Sequence, residues 1–213
     1  MKLEKNSKIV FMGDSVTDCG RQQPVGEAIF DEAYGNGYVN IIRAILAVDY
    51  AEMNIRPVNM GISGNNVLDL KARWQTDVFD QKPDWVSVMI GINDIWRQFD
   101  SPLMPETHVA YDVYKATLEE LVAKTIDKVS GMVIMTPYFI EPRKDDPMRA
   151  MMDRYGAAAK DIAKKYGAVI VDTQAAMDKL TQAIPTAAIS WDRVHPNIKG
   201  HMALAKAFME AIS

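Results

Sequence analysis

Short apolar runs alternate along this chain with longer segments in which apolar residues recur every third or fourth position. The runs lie at residues 8–12, 56–59, 85–90, 132–135 and 168–171. They are brief and mostly apolar, the pattern of strands covered on both faces in a parallel sheet. The longer segments lie at residues 38–50, 67–78, 106–128, 148–166 and 196–212. In the last, Ile198, Met202, Ala205, Phe208, Met209 and Ile212 recur at helical spacing, while Lys199, Lys206 and Glu210 fall on the other side. That is the signature of a helix docked by one face. Strand and helix alternating in this way predict an α/β fold, a three-layer α/β/α sandwich on a central five-stranded parallel sheet with right-handed crossovers. No internal repeat, low-complexity tract or long Pro/Gly/Ser linker interrupts the pattern, so residues 1–213 read as a single domain.

Composition narrows the function without naming one. The chain has 24 Lys+Arg against 28 Asp+Glu, a formal net charge of −4, which offers no broad basic field for nucleic acid or anionic lipid. The single cysteine, Cys19, precludes an intramolecular disulfide, and three histidines leave no Cys/His cluster of the structural-zinc type. The first ten residues carry charges where an export signal needs an unbroken apolar stretch. The most apolar window, residues 85–92, falls far short of the roughly 20 residues of a membrane-spanning helix. A soluble, cytoplasmic protein is expected. Three histidines also leave few choices for a general base.

Ligand sites in open α/β sheets collect at the carboxyl ends of the strands, so the residues following each strand matter most. After the first comes Gly13-Asp-Ser-Val-Thr-Asp18, in which glycine permits a tight turn and presents Ser15 at the sheet's mouth. Ser15 is a candidate nucleophile, although Asp14, Ser15 or Thr17 would equally serve as a helix cap. The segment lacks the G-x-S-x-G elbow of ordinary α/β-hydrolases. After the second strand, Asn59-Met-Gly-Ile-Ser-Gly-Asn-Asn66 offers close backbone approach, with the Gly64 N–H as a candidate anion donor or simply part of a turn into the next helix. After the third, Gly91-Ile-Asn-Asp94 presents the uncharged Asn93 carboxamide, a suitable oxyanion donor or an Asx turn.

Before the last helix stands Trp191-Asp-Arg-Val-His-Pro196. Three residues of separation in a loop let Asp192 hold one imidazole nitrogen of His195 while the other faces the cleft, and Pro196 keeps His195 extended. His108 and His201 lie at helical positions where surface placement is the default. Each segment is ambiguous alone. Together they supply nucleophile (Ser15), base (His195), orienting acid (Asp192) and oxyanion donors (the Ser15 and Gly64 N–H groups and the Asn93 side chain), the parts of a serine-type acyl-transfer site.

These four blocks, Gly-Asp-Ser, the later Gly, Gly-x-Asn-Asp and Asp-x-x-His, resemble those of the SGNH, or GDSL-type, hydrolases, and the likeness runs from Ile9 to about Phe208. Within that superfamily the segments around Ser15, Gly64, Arg73, Asn93 and His195 are similar to bacterial intracellular acetylxylan esterases. The resemblance implies a flavodoxin-like fold, no metal or organic cofactor, an acetylated xylo-oligosaccharide or another short-chain ester as substrate, and a homo-oligomer. Asp14, Trp96, Arg97, Tyr138 and Trp191 are expected near the substrate, because they follow strands or flank the blocks and aromatic faces suit sugar rings. Tyr138 fits core packing equally well. The competing functions are a lipid or thioester hydrolase on the same machinery, a nucleotide-binding module, for which no phosphate-loop motif is present, and a metallophosphatase using Asp14 or Asp94.

Overall fold

In the computed structural model, which describes residues 1–213, five strands form one sheet: β1 (Lys8–Gly13), β2 (Arg56–Asn59), β3 (Trp85–Met89), β4 (Gly131–Met135) and β5 (Val169–Val171). Their spatial order is β2-β1-β3-β4-β5 and every neighbouring pair is parallel. All five expected strands are present, with ends displaced by a residue at most. Gly13 pairs with Met89, and Met89 with Met135, so β1, β3 and β4 finish level at one edge. The order reverses at β1, which lies between β2 and β3. A crevice at such a reversal is where doubly wound sheets bind ligands.

The helices are α1 (Ser15–Asp18), α2 (Tyr38–Asp49), α3 (Val67–Trp74), α4 (Ile92–Asp100), α5 (Tyr111–Ile126), α6 (Pro147–Tyr166), α7 (Thr173–Thr181) and α8 (Ile198–Ile212). Successive residues of β1 point to opposite faces: Val10 and Met12 enter a core with Leu70, Leu121 and Ile162 of α3, α5 and α6, while Ile9 and Phe11 meet Ile42 and Phe208 of α2 and α8. Burial on both faces explains why the strands read as unbroken apolar runs rather than alternating ones.

Three local differences from the sequence pattern have simple causes. The helix expected through residue 78 ends at Trp74 and widens into a π-type turn, Gln75–Phe79, closed by Asp80 N–H donating to Gln75 C=O. The segment expected from residue 106 begins as a separate short turn, Pro105–Thr107, and α5 starts only at Tyr111. On α8 the inward stripe runs through His201, Leu204, Ala205 and Phe208, leaving Ile198 and Met202 exposed. His201 is therefore buried rather than at the surface, with its Nδ1 accepting from the Tyr38 N–H at 3.2 Å. Helices α4 and α7 are not among the expected segments; both are nine residues long, and α4, in which Ile92, Ile95, Trp96 and Phe99 recur at helical spacing, begins inside the Asn93 motif itself.

Candidate active site

Ser15 opens α1 immediately beyond β1. Asp14 caps that helix, its Oδ1 accepting from Val16 N–H at 3.0 Å. Glycine is required at position 13, where a Cβ would lie 2.1 Å from Thr17 Oγ1 and 2.8 Å from Met89 O. This close packing sets α1 tightly on the sheet and presents the serine at its edge. Ser15 Oγ lies 2.7 Å from His195 Nε2, and His195 Nδ1 lies 2.6 Å from Asp192 Oδ2. Residues 180 positions apart in sequence thus form one hydrogen-bonded line.

The loop holding Asp192 and His195 is wound around the carboxylate. Asp192 Oδ1 accepts from Ser190 Oγ at 2.8 Å, Val194 N–H at 2.9 Å and His195 N–H at 2.8 Å. Arg193, between them, adopts φ +64°, a left-handed conformation that costs a side-chain-bearing residue on the order of 1 kcal/mol. The turn is thereby tight enough for Asp192 to hold both the backbone and the imidazole of the same loop. Burial pushes the Asp192 carboxyl up, but the hydrogen bonds from His195, Val194 and Ser190 outweigh it, so the group sits below its ordinary value and carries its charge at neutral pH. With Asp192 ionised, His195 Nδ1 is the protonated nitrogen and Nε2 is left to accept from Ser15.

Two of the expected anion donors are tied to one loop, in which Asn65, next to Gly64, accepts from Asn93, and Ser63 is held by Asp18 of α1, the helix that Ser15 opens. Gly64 has φ +83°, a conformation natural to glycine, and its N–H has no partner within the chain. Asn93, in the first turn of α4, donates through Nδ2 to Asn65 O at 2.9 Å, which leaves its second amide hydrogen for a ligand. The Ser15 N–H heads α1, ahead of that helix's own hydrogen bonds.

Three residues to which the sequence reading assigned no part in this arrangement hold the loop carrying Gly64. Asp18 Oδ2 accepts from Ser63 N–H at 3.0 Å and from Ser63 Oγ at 2.7 Å. At the far end of the loop, Asp94 Oδ1 accepts from Val67 N–H at 3.1 Å. Arg73 reaches back from α3 to donate to Asn65 Oδ1 at 2.7 Å, Met60 O at 2.6 Å and Gly13 O at 3.0 Å. Asp94 is wholly buried and its Oδ2 has no partner, and burial pushes its carboxyl up to about 7. An inward-facing charged residue beside each motif is the only trace these contacts leave in the sequence.

The expected substrate contacts divide. Trp96 stands edge-on to the His195 ring, with centroids 5.8 Å apart, and Arg97 stacks on Trp96 at 4.6 Å while pairing with Asp100. Trp191 is 87% exposed beside Asp192. Tyr138 is corrected: it is 3% exposed and its hydroxyl donates to Val194 O at 3.1 Å, so it buttresses the His195 loop and, with Asp14, borders a small cavity instead of walling an open cleft. Asp14 is likewise corrected. It is buried as a helix cap, and the cavity it borders, about 10 Å³, is at the limit for one water molecule. Asp14 and Asp94 each accept from a backbone N–H, and no three His, Cys, Asp or Glu side chains are grouped as metal ligands would be.

This geometry has close counterparts among known proteins. The model of the GDSL-like Lipase/Acylhydrolase family matches residues 11–203. An acetylxylan esterase of Geobacillus stearothermophilus is 53% identical over 212 residues, covering 100% of this chain and 96% of the relative. The crystal structure of Axe2, an acetylxylan esterase from that organism, superposes with a TM-score of 0.98 at 52% identity, covering 100% of this chain and 97% of the other. Alanine variants of a serine, a histidine and an aspartate of Axe2, described as catalytic mutants, superpose equally well. LAE5, an alpha/beta hydrolase from the metagenome of Lake Arreo, Spain, matches with a TM-score of 0.98 at 50% identity over the same shares. With a family model spanning most of its length and a relative of this identity along all of it, the chain belongs to the GDSL-like lipase/acylhydrolase family.

Proposed function

We propose that the protein is a serine esterase that removes acetyl groups from xylo-oligosaccharides through an acetyl-enzyme intermediate. The observation that carries this reading is the line Ser15 Oγ, His195, Asp192, with its 2.7 Å and 2.6 Å contacts. Ser15 Oγ attacks the ester carbonyl carbon as His195 Nε2 takes its proton. The oxyanion that forms is held by the Ser15 and Gly64 N–H groups and the Asn93 amide, donors fixed before the charge appears. Collapse breaks the bond to the sugar oxygen, which leaves with the proton from His195. Water then attacks the acetyl-Ser15 carbonyl, giving its proton to His195, and acetate departs as that proton returns to Ser15 Oγ. Asp192 stays ionised throughout and steadies the imidazolium.

The acetylated sugar is supported by the likeness, in sequence and in structure, to acetylxylan esterase of Geobacillus stearothermophilus. No helix is long and apolar enough to cross a membrane, in keeping with a protein acting in the cytoplasm on short, soluble oligosaccharides. A homo-oligomer belongs to the same reading, and the exposed Ile29, Phe30, Leu103 and Trp191 supply apolar surface for it. Acetate release from acetylated xylo-oligosaccharides tests the substrate, with Ser15→Ala expected to abolish turnover while leaving the melting temperature within a few degrees. A Ser15→Ala protein as active as the parent overturns the nucleophile. The alternative, an esterase for other acyl groups, is distinguished by chain length: octanoyl esters cleaved as fast as acetyl esters would favour it.

A further inference from the structure

We propose that Cys19 and His201 form a second contact alongside the catalytic one, which fixes the helix opened by Ser15 against the helix that follows His195 and so sets the distance between nucleophile and base. Both are positioning residues. The inference rests on the esterase reading above and concerns two side chains to which that reading gives no part.

Ser15 opens α1, and Cys19 is the C-cap that closes it. His195 stands just before α8, and His201 lies in the first turn of that helix. The two segments therefore meet twice. Ser15 Oγ lies 2.7 Å from His195 Nε2, and Cys19 Sγ lies 3.4 Å from His201 Nε2. A short helix tied to its neighbour at one end can pivot about that contact, whereas one tied at both ends cannot.

Three observations single out the second contact. The first is backbone conformation. Cys19 has φ +44°, in the left-handed region where glycine or asparagine ordinarily ends a helix. Its side chain is nevertheless fully engaged, with Sγ 3.2 Å from Val16 O and 3.5 Å from Ser15 O besides its contact with His201. The second is the direction of the hydrogen bonds. His201 is buried, and burial pushes it down to about 4, so the ring is neutral near pH 7. Its Nδ1 accepts from Tyr38 N–H at 3.2 Å, which leaves the one ring proton on Nε2, facing Cys19. Burial pushes the Cys19 thiol up to about 12, so the sulfur keeps its hydrogen for Val16 O while accepting from His201. The third is space. Gly37, the N-cap of α2, packs over the pair, and a Cβ there would lie 2.6 Å from Cys19 Sγ and 3.3 Å from His201 Cε1. Three helices, α1, α2 and α8, thus close around these two side chains.

The test measures kcat and KM for 4-nitrophenyl acetate in Cys19→Ala, His201→Asn, His201→Gln and the double variant Cys19→Ala/His201→Asn, with thermal melting to confirm that each is folded. Asparagine puts its amide oxygen where Nδ1 stands and keeps only the bond from Tyr38, whereas glutamine is long enough to donate to Cys19 from the place of Nε2. Cys19→Ala and His201→Asn are each expected to lower kcat by about tenfold at unchanged KM, because a small displacement of the reacting groups costs rate rather than ground-state binding. His201→Gln should keep most of kcat. The double variant should be no slower than the slower single one, since either change alone breaks the same contact. An unchanged kcat in folded Cys19→Ala, equal losses in His201→Asn and His201→Gln, or losses that multiply in the double variant overturn the positioning role while leaving the esterase reading intact. So does a lowered melting temperature without a fall in kcat. A wild type that does not cleave the ester, or a Ser15→Ala protein as active as the parent, overturns the esterase reading and this inference together.

Discussion

Replacing Asp18 by alanine isolates how much of the proposed catalysis depends on holding the Gly64 loop. Asp18 is 9% exposed and grips Ser63 through two hydrogen bonds, at 3.0 Å and 2.7 Å. Bonds to a charged acceptor are worth about 1.5–3 kcal/mol each, so their loss leaves Ser63 and the neighbouring Gly64 without their main restraint on that side. Other ties remain. Ile62 N–H still donates to Gly13 O at 3.1 Å, and Asn65 O still accepts from Asn93 at 2.9 Å. Complete loss of one oxyanion donor costs roughly 10²- to 10³-fold in kcat, and a loop released at one end and held at the other should forfeit about half of that free energy, or about 10- to 30-fold. KM should change little, because the oxyanion exists only in the transition state. Steady-state kinetics with 4-nitrophenyl acetate measures the first effect. Affinity for a small boronic acid, which adds to the serine as a tetrahedral mimic, should fall in parallel, and Asp18→Asn, which keeps an acceptor oxygen, should recover part of both. An Asp18→Ala protein with a lowered melting temperature but unchanged kcat and boronate affinity would refute the reasoning, since it would make Asp18 a purely structural residue.

Two further outcomes follow from the same geometry. Asp192→Asn should preserve the loop through its remaining carbonyl oxygen but place an amide N–H against His195 Nδ1, favouring the wrong tautomer, so kcat should fall by up to about 10⁴-fold with the fold intact; a loss below tenfold in pre-steady-state acylation argues against the assigned role. Burial pushes His201 down to about 4 from an ordinary 6.5, so the folded state holds fewer protons there than the unfolded chain between those values. Stability should therefore be lost as pH falls from about 6.5 towards 4, by about 3 kcal/mol at most. Urea midpoints at the two ends of that window, compared with those of His201→Gln, should show a shallower dependence in the variant, and an identical slope in the two proteins would remove His201 as the cause.

Much of this was legible in the chain because it depends on local pattern. Five parallel strands buried on both faces must read as short apolar runs, and these do. Ser15, Gly64, Asn93, Asp192 and His195 stand out as candidates because each lies between a strand end and a helix start, where residue type and turn chemistry coincide, and the structure joins three of them, Ser15, His195 and Asp192, by hydrogen bonds. His201 was misplaced because a neutral histidine on an apolar stripe has no local mark of its burial, which depends on Tyr38 N–H arriving from a distant helix. Tyr138 was ambiguous for a similar reason: nothing in its neighbourhood states that its hydroxyl will meet Val194 O. Helix α4 does carry an apolar period, Ile92, Ile95, Trp96 and Phe99, but at nine residues and starting inside the Gly91-Ile-Asn-Asp94 motif it reads as the continuation of a loop.

The sequence by itself determined the layered fold, the order of the blocks and the types of group available for chemistry, since periodicity, glycine placement and loop spacing act over a few residues at a time. Only the tertiary structure decided that Ser15 and His195 meet at 2.7 Å and that carboxylates from α1 and α4 hold the two ends of the Gly64 loop. Such contacts join residues tens to hundreds of positions apart. They arise from sheet register and helix packing, and no local stretch of chain carries that information.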